Sequence, residues 1–201
     1  MNIFTEILIL FSISYFIGSI PFGLILTNWW GYGDIRKIGS GNIGATNALR
    51  TGNKILALLV LLLDACKSLF LIILFKYFEL NNDNSTYLFI LLSGSIIGHC
   101  FPIWLKFKGG KGIATMLGGL IGINFSIGIL FCLIWLIIAF ITRRSSLSSL
   151  LSISFLPITS FIFYGHMEFL LSCFLLGIVC FRHKENILRL IKGKEPKIFE
   201  N

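Results

Sequence analysis

The chain has 201 residues, of which 56% are hydrophobic, 14% aromatic and only 13% charged. A soluble globular domain carries about 25% charged residues. This composition, with a mean hydropathy of +0.89, excludes a disordered chain, a disulfide-framed secreted module and most soluble enzymes. The charges are unequal, because 17 Lys and Arg residues stand against 9 Asp and Glu, for a formal net charge of +8. An apolar chain with a basic excess is typical of an integral membrane protein whose loops face a cytoplasm.

Seven apolar segments follow one another along the chain. A helix that crosses a bilayer needs about 20 predominantly apolar residues. The predicted spans are approximately 3–27, 55–80, 87–105, 113–123, 126–142, 147–164 and 167–181. The uncharged stretch 113–142 decides their number, because as one helix it would be about 45 Å long, well beyond the hydrocarbon thickness. We therefore expect a turn between Gly122 and Ser126.

The distribution of basic residues favours seven spans with the N-terminus outside and the C-terminus in the cytoplasm. Fifteen of the 17 Lys and Arg residues then lie in the inside segments, which are 28–54, 106–112, 142–146 and 182–201. The outside turns contain none; they are 81–86, 122–126 and 164–168. Cytoplasmic loops of membrane proteins are enriched in Lys and Arg. The sequence thus predicts an all-α integral membrane protein in which residues 1–201 form a single polytopic domain.

The longest inside loop contains the sequence DIRKIGSGNIGATN over residues 34–47. Glycines let backbone N–H groups approach a ligand closely, and Ser, Asn and Thr add neutral hydrogen bonds. Arg36 adds a bidentate fork for an oxyanion. This composition predicts an anion-binding loop, and the alternative is a polar turn between two membrane helices.

The second inside loop, KFKGGKG over residues 106–112, runs directly into the start of a helix. Glycines and a lysine before a helix N-terminus suit a phosphate group. The segment does not fit the nucleotide-binding P-loop G-x-x-x-x-G-K-[ST], because Gly112 follows Lys111, so neither ATP nor GTP is implied. The alternative is a flexible basic turn that touches anionic lipid.

Two further inside segments and one span carry polar side chains. The turn 143–147 has the sequence RRSSL, which is either part of a site or a pair of topology-setting arginines. In the C-terminal segment, His183 and Asn186 are three residues apart and share a helical face; a snorkelling basic tail is the alternative. Asp64 and Lys67 can pair across one turn of the second span, as a structural or a functional pair.

The inside face offers cations, hydroxyls and amides but few carboxylates. It therefore suits phosphate-bearing ligands rather than a metal, which needs clustered Asp, Glu and His. The five cysteines fall in apolar spans at unrelated spacings, as small core residues do. We expect no metal site and no cofactor.

Four motifs occur in order along nearly the whole chain: GSIPFG at 18–23, GSGNIGATN at 39–47, GHCFP through FKGGKGIAT at 98–115, and RHKENI through GKE at 182–195. In these motifs the chain resembles the bacterial acyl-phosphate:glycerol-3-phosphate acyltransferases, the PlsY family. The resemblance implies a seven-span enzyme of the bacterial inner membrane whose active site faces the cytoplasm. Such enzymes transfer a fatty acyl group from acyl phosphate to glycerol 3-phosphate. The product is lysophosphatidic acid, and the reaction is the first step of phospholipid synthesis.

The resemblance also implies roles for individual residues. The catalytic set is Arg36, Ser40, Lys111, Ser146, His183 and Asn186. The substrate-binding set is Gly41, Asn42, Thr46, Asn47, Gly109, Gly110 and Gly112. Glu195 matches a position that is structural in the family. The chain departs from the family at Ser68, where a glycine is usual, and at Arg144, where an aromatic residue is frequent.

The expected partners are acyl phosphate, glycerol 3-phosphate, membrane lipids and the enzyme that makes acyl phosphate, with no nucleic acid. Acyl phosphate is an activated mixed anhydride, so we expect direct transfer without a covalent acyl-enzyme. Arg36, Lys111 and loop amides suit the developing oxyanion and the phosphate leaving group. Either His183 or the substrate's own phosphate acts as the base. The alternative function is a transporter of a phosphorylated solute, which needs polar groups along the spans.

Overall fold

The computed structural model describes residues 2–78 and 84–198, and within these ranges the regular structure is helical with no strand. The predicted all-α class is therefore confirmed. Residues 79–80 of the second predicted span, and 81–83 of the following turn, lie outside the described residues. The α-helices in chain order are α1 (Ile3–Gly18), α2 (Phe22–Trp29), α3 (Ala45–Ala48), α4 (Lys54–Phe78), α5 (Ser85–Cys100), α6 (Ile113–Ile123), α7 (Phe125–Thr142), α8 (Ser145–Ser154), α9 (Leu156–Phe163), α10 (His166–Arg182) and α11 (Lys184–Ile191).

Five helical segments of the described chain are long and apolar enough to cross a membrane: Ile3–Trp29, Lys54–Phe78, Ser85–Leu105, Phe125–Thr142 and Ser145–Phe163. A sixth is counted when α10 and α11, which are bent by 68° at His183, are taken together. The helix α6 is apolar but only 11 residues long. Large apolar side chains on these segments are exposed while many serines are buried, the arrangement that a lipid solvent favours.

The apolar stretch 113–142 breaks at Asn124, within the expected turn. The Asn124 side chain accepts hydrogen bonds from the backbone N–H groups of Ser126 and Ile127 and so caps the start of α7. Gly128 of α7 lies directly against Ile121 of α6, which shows that the chain folds back on itself here. Lys76 of α4 donates a 2.7 Å hydrogen bond to the Ile123 carbonyl at the end of α6.

Small residues let the spans pack closely. Gly98 of α5 lies against α1, because a Cβ on Gly98 would stand 2.1 Å from the Tyr15 carbonyl oxygen. Gly118 of α6 lies against Ala65 of α4 in the same way, at 2.0 Å. Beside that contact, the Ser68 hydroxyl donates a 2.5 Å hydrogen bond to the Thr115 carbonyl. The serine that departs from the family therefore joins α4 to α6 in this chain.

Replacing Gly98 with alanine should force α1 and α5 apart, since the obstructing atom belongs to the backbone and cannot rotate away. We expect Gly98→Ala to lower the free energy of unfolding by about 1–3 kcal/mol, the cost of overpacking. Thermal unfolding of the purified protein in detergent measures this loss. The matched control is Gly177→Ala in α10, where a Cβ meets nothing within 4 Å. Equal melting temperatures for the two variants would contradict the packing described here.

Candidate active site

A cavity of about 390 Å³ opens between the loops and the ends of the spans. Most of its polar lining comes from the two glycine-rich loops, the start of α8 and the C-terminal segment, whereas most of the lining from α4, α6 and α7 is apolar. Ten of the 14 residues assigned from the sequence line it: Ser40, Asn42, Thr46, Asn47, Lys111, Gly112, Ser146, His183, Asn186 and Glu195. The other four, Arg36, Gly41, Gly109 and Gly110, lie outside its lining.

Asn47 shapes the first glycine-rich loop from within. Its Nδ2 lies within 3.0 Å of the carbonyl oxygens of Ile35, Ile38 and Asn42. Its Oδ1 accepts hydrogen bonds from the backbone N–H and the hydroxyl of Ser40, at 2.9 and 3.2 Å. Because its amide is fully used inside the loop, Asn47 fixes the loop conformation and leaves ligand contact to its neighbours.

Arg36 and Arg50 occupy different positions in this loop. Arg36 is exposed and pairs with Asp34 at 2.7 Å, and this hydrogen-bonded pair lowers the pKa of the Asp34 carboxyl to about 2. Arg50 lines the cavity and makes no hydrogen bond or ion pair with any side chain in the described ranges. Arg50 was not assigned from the sequence, although it stands three residues after Asn47, one helical turn further along.

The peptide groups of Gly109 and Gly110 are used inside the protein. The N–H of Gly109 donates to the Cys100 carbonyl at 3.1 Å, and that of Gly110 to the His99 carbonyl at 2.9 Å. These amides are therefore not free to cradle a phosphate. Glycine is required for another reason, because a Cβ on Gly110 would stand 2.0 Å from Nε2 of His99. Gly112, with φ of +82°, lies on the cavity wall.

A buried carboxylate joins the elements around the polar end of the cavity. Glu195 accepts hydrogen bonds from Ser146 at 2.7 Å, Asn186 at 2.6 Å and Arg189 at 2.8 Å. Lys111 in turn donates to Oδ1 of Asn186 at 2.5 Å. Burial acts to raise the pKa of Glu195, but these three hydrogen bonds outweigh it and lower that pKa. Glu195 is thus an ionised hub that touches the cavity.

Lys111 and His183 both have lowered pKa values at the cavity wall. Burial lowers the pKa of Lys111 to about 8, although the nearby Glu195 acts in the opposite direction. Burial, with the adjacent Lys111 charge, lowers the pKa of His183 to about 4, so its imidazole is neutral at pH 7. His183 Nδ1 donates to the Val179 carbonyl at 2.8 Å, which leaves Nε2 as a hydrogen-bond acceptor.

Asp64, Lys67 and His99 form a buried ionic cluster that borders the cavity. Lys67 Nζ is 2.9 Å from Asp64 Oδ1 and 2.9 Å from His99 Nδ1. The pairing across one helical turn that the sequence predicted is thus present. Asp64 and His99 also line the cavity. The His99 carbonyl that receives the Gly110 N–H connects this cluster to the second loop.

Comparisons with known proteins agree with this architecture. The chain matches the glycerol-3-phosphate acyltransferase family over residues 8–193. It is 48% identical to a glycerol-3-phosphate acyltransferase of Ehrlichia canis, over 98% of this chain and all of the relative. A relative of the same name from Bartonella henselae is 47% identical, over 94% of this chain and 90% of its own length.

Two solved structures share the fold. The crystal structure of PlsY, an integral membrane glycerol 3-phosphate acyltransferase, in its glycerol 3-phosphate form matches with a TM-score of 0.87 and 32% identity, over 96% of this chain and 95% of that one. The lysophosphatidic acid form of PlsY matches with a TM-score of 0.85 and 31% identity, over the same shares. The fold and cavity define a membrane-embedded acyltransferase. The chain belongs to the glycerol-3-phosphate acyltransferase family.

The two arginines of the first loop provide a direct test of the cavity. Arg50→Gln should lower kcat/KM for glycerol 3-phosphate by about 10–100-fold, since a hydrogen bond to a charged group contributes about 1.5–3 kcal/mol. Arg36→Gln should lower it less than about 3-fold, because an exposed ion pair contributes little. Steady-state kinetics of both purified variants measure the difference. A larger loss in Arg36→Gln would show that the anion binds away from the cavity.

Proposed function

We propose that this enzyme takes its acyl group from acyl phosphate and releases lysophosphatidic acid and inorganic phosphate, as the first step of phospholipid synthesis. One observation supports this most strongly. A single cavity joins the cationic groups of Arg50 and Lys111, which suit phosphates, to apolar side chains that suit an acyl chain, namely Leu58, Leu61, Phe131 and Trp135. The two forms of the similar PlsY structure, with glycerol 3-phosphate and with lysophosphatidic acid, support the same substrate and product.

The reaction that we propose is a direct transfer. The glycerol 3-phosphate hydroxyl attacks the carbonyl carbon of acyl phosphate, a C–O ester bond forms, and the bond between that carbon and the phosphate oxygen breaks. Arg50 and Lys111 offset the repulsion between the two anionic substrates and the charge on the leaving phosphate. Positioning of the two substrates accounts for much of the remaining acceleration. Arg36, paired with Asp34, holds the start of the first loop in this scheme.

The proton of the attacking hydroxyl passes to the phosphate of the acyl donor in this proposal. With a pKa of about 4, His183 is a weak base, and its free Nε2 is better suited to accept a hydrogen bond from substrate. The low pKa therefore favours a binding role. His183→Gln should raise KM and keep substantial kcat; loss of kcat at unchanged KM would make His183 the base.

We propose seven spans, an outside N-terminus and a cytoplasmic active site in the bacterial inner membrane. The fold-back at Asn124 supports counting α6 and α7 as separate spans, and the basic segments then share one side. The enzyme that makes acyl phosphate then meets this face. A cysteine placed at position 124 should react with a membrane-impermeant reagent added outside the cell. Labelling only from the cytoplasmic side would contradict this topology.

Purified protein in detergent, supplied with a long-chain acyl phosphate, should release inorganic phosphate only when glycerol 3-phosphate is present. Acyl-CoA and acyl carrier protein should not replace the donor, because the cavity's cations suit an acyl phosphate leaving group. Phosphate release and product formation are measured together. No turnover with acyl phosphate would favour a different donor, and uptake of a phosphorylated solute into vesicles without acylation would favour a transporter.

A further inference from the structure

Arg182 contacts the second glycine-rich loop through two hydrogen bonds. Its Nε donates to the Gly110 carbonyl at 2.9 Å, and Nη2 donates to the Gly109 carbonyl at 2.5 Å. The guanidinium lies 5.3 Å from the ring centre of Phe101 and makes no ion pair with a carboxylate among the described residues. Its hydrogen-bonding capacity is therefore directed at the loop backbone rather than at a counter-charge.

The two glycine peptides are fixed from both sides. Their N–H groups donate to the last carbonyls of α5, at His99 and Cys100. Their carbonyls, on the other side, accept from Arg182 at the end of α10. The loop is thus held between two spans immediately before Lys111.

We propose that Arg182 is a positioning residue for glycerol 3-phosphate binding: its planar fork holds the Gly109–Gly110 peptides against α5 and thereby places Lys111 beside Asn186. The role rests on the proposed function, because it is expressed through the binding of that substrate. Arg182 itself does not line the cavity. Arg182 also directly precedes His183 in the chain, so its contacts with the loop fix the position of the loop relative to the end of α10.

Geometry distinguishes this role from that of a topology-setting cation. A guanidinium presents several donors in a fixed plane, which matches two adjacent carbonyls, whereas a lysine is a single point of charge. Arg182→Lys keeps the charge and loses the fork. Arg143 is the matched control, because it is exposed, lies near the same membrane face and is absent from the cavity wall.

The test compares Arg182→Gln, Arg182→Lys and Arg143→Gln in the purified full-length protein. We expect both Arg182 variants to raise the KM for glycerol 3-phosphate about 10-fold or more, with a smaller change in the KM for acyl phosphate. Arg143→Gln should match the wild-type enzyme. A wild-type KM in Arg182→Lys would overturn the proposal, since charge alone would then suffice.

The pH profile supplies a readout that a general loss of stability would not move. The charged groups around Lys111 are Glu195, Arg189, Arg182 and Arg50. Lys111 binds phosphate as a cation, so the wild-type affinity for glycerol 3-phosphate should fall as the pH rises through about 8. Removal of the Arg182 charge should move this decline to higher pH in Arg182→Gln, whereas Arg182→Lys, which keeps the charge, should show a raised KM with the decline at the wild-type pH. An unmoved decline in Arg182→Gln, with unchanged KM, would overturn the proposal.

Substrate protection separates failure of this proposal from failure of the proposed function. Glycerol 3-phosphate should raise the melting temperature of the wild-type protein and raise that of the Arg182 variants much less, whatever the acyl donor. If the wild-type protein is protected but does not turn over acyl phosphate, the donor is wrong and the positioning role stands. If Arg182→Gln does not fold, Arg182→Lys decides, and protection equal to the wild type overturns the role.

Discussion

The buried carboxylate of Glu195 is the interaction on which the cavity depends. It accepts hydrogen bonds from α8, through Ser146, and from α11, through Asn186 and Arg189. Asn186 also accepts a hydrogen bond from the Lys111 ammonium, so Glu195 fixes the position of Lys111 through Asn186. A buried charge is tolerated only when its hydrogen-bonding capacity is satisfied, and here each partner comes from an element that also borders the cavity. The Glu195 carboxylate therefore joins the elements that carry Lys111, Ser146 and Asn186 into one site.

The Glu195 carboxylate reconciles two opposing requirements of the site, which are to hold several cations and to keep them charged when buried. The two phosphate-bearing substrates that we propose need cations in the cavity, but cations brought together without substrate repel one another, and burial lowers the pKa of a lysine. The pKa of Lys111 falls to about 8 under burial, and the nearby Glu195 opposes the fall. Glu195 therefore favours the protonated form of Lys111 at neutral pH. Arg50 lines the same cavity, and its side chain has no hydrogen-bond or ion-pair partner in the part of the chain that the structure describes.

Much of this organisation was predictable from the sequence. The apolar composition of a span reflects the lipid around it, and the spacing of polar residues reflects the period of the helix. The break near Asn124 followed from a stretch too long to cross the bilayer once, and the polar loops followed from their glycines and hydroxyls. Which arginine enters the cavity was not predictable, because Asp34 two residues before Arg36 captures its guanidinium. The internal hydrogen bonds of the Gly109 and Gly110 amides were not predictable either, since no local pattern states that α5 offers them its last carbonyls.

A double-mutant cycle between Glu195 and Lys111 tests the central claim most directly. The dissociation constant for glycerol 3-phosphate is measured by calorimetry for the wild-type protein, Glu195→Gln, Lys111→Gln and the double variant. If Glu195 acts by holding Lys111 in place, the single losses overlap, and we expect a coupling free energy of about 1 kcal/mol or more. Losses that add to within about 0.5 kcal/mol would show independent action and would contradict the role of Glu195 as the hub of the site.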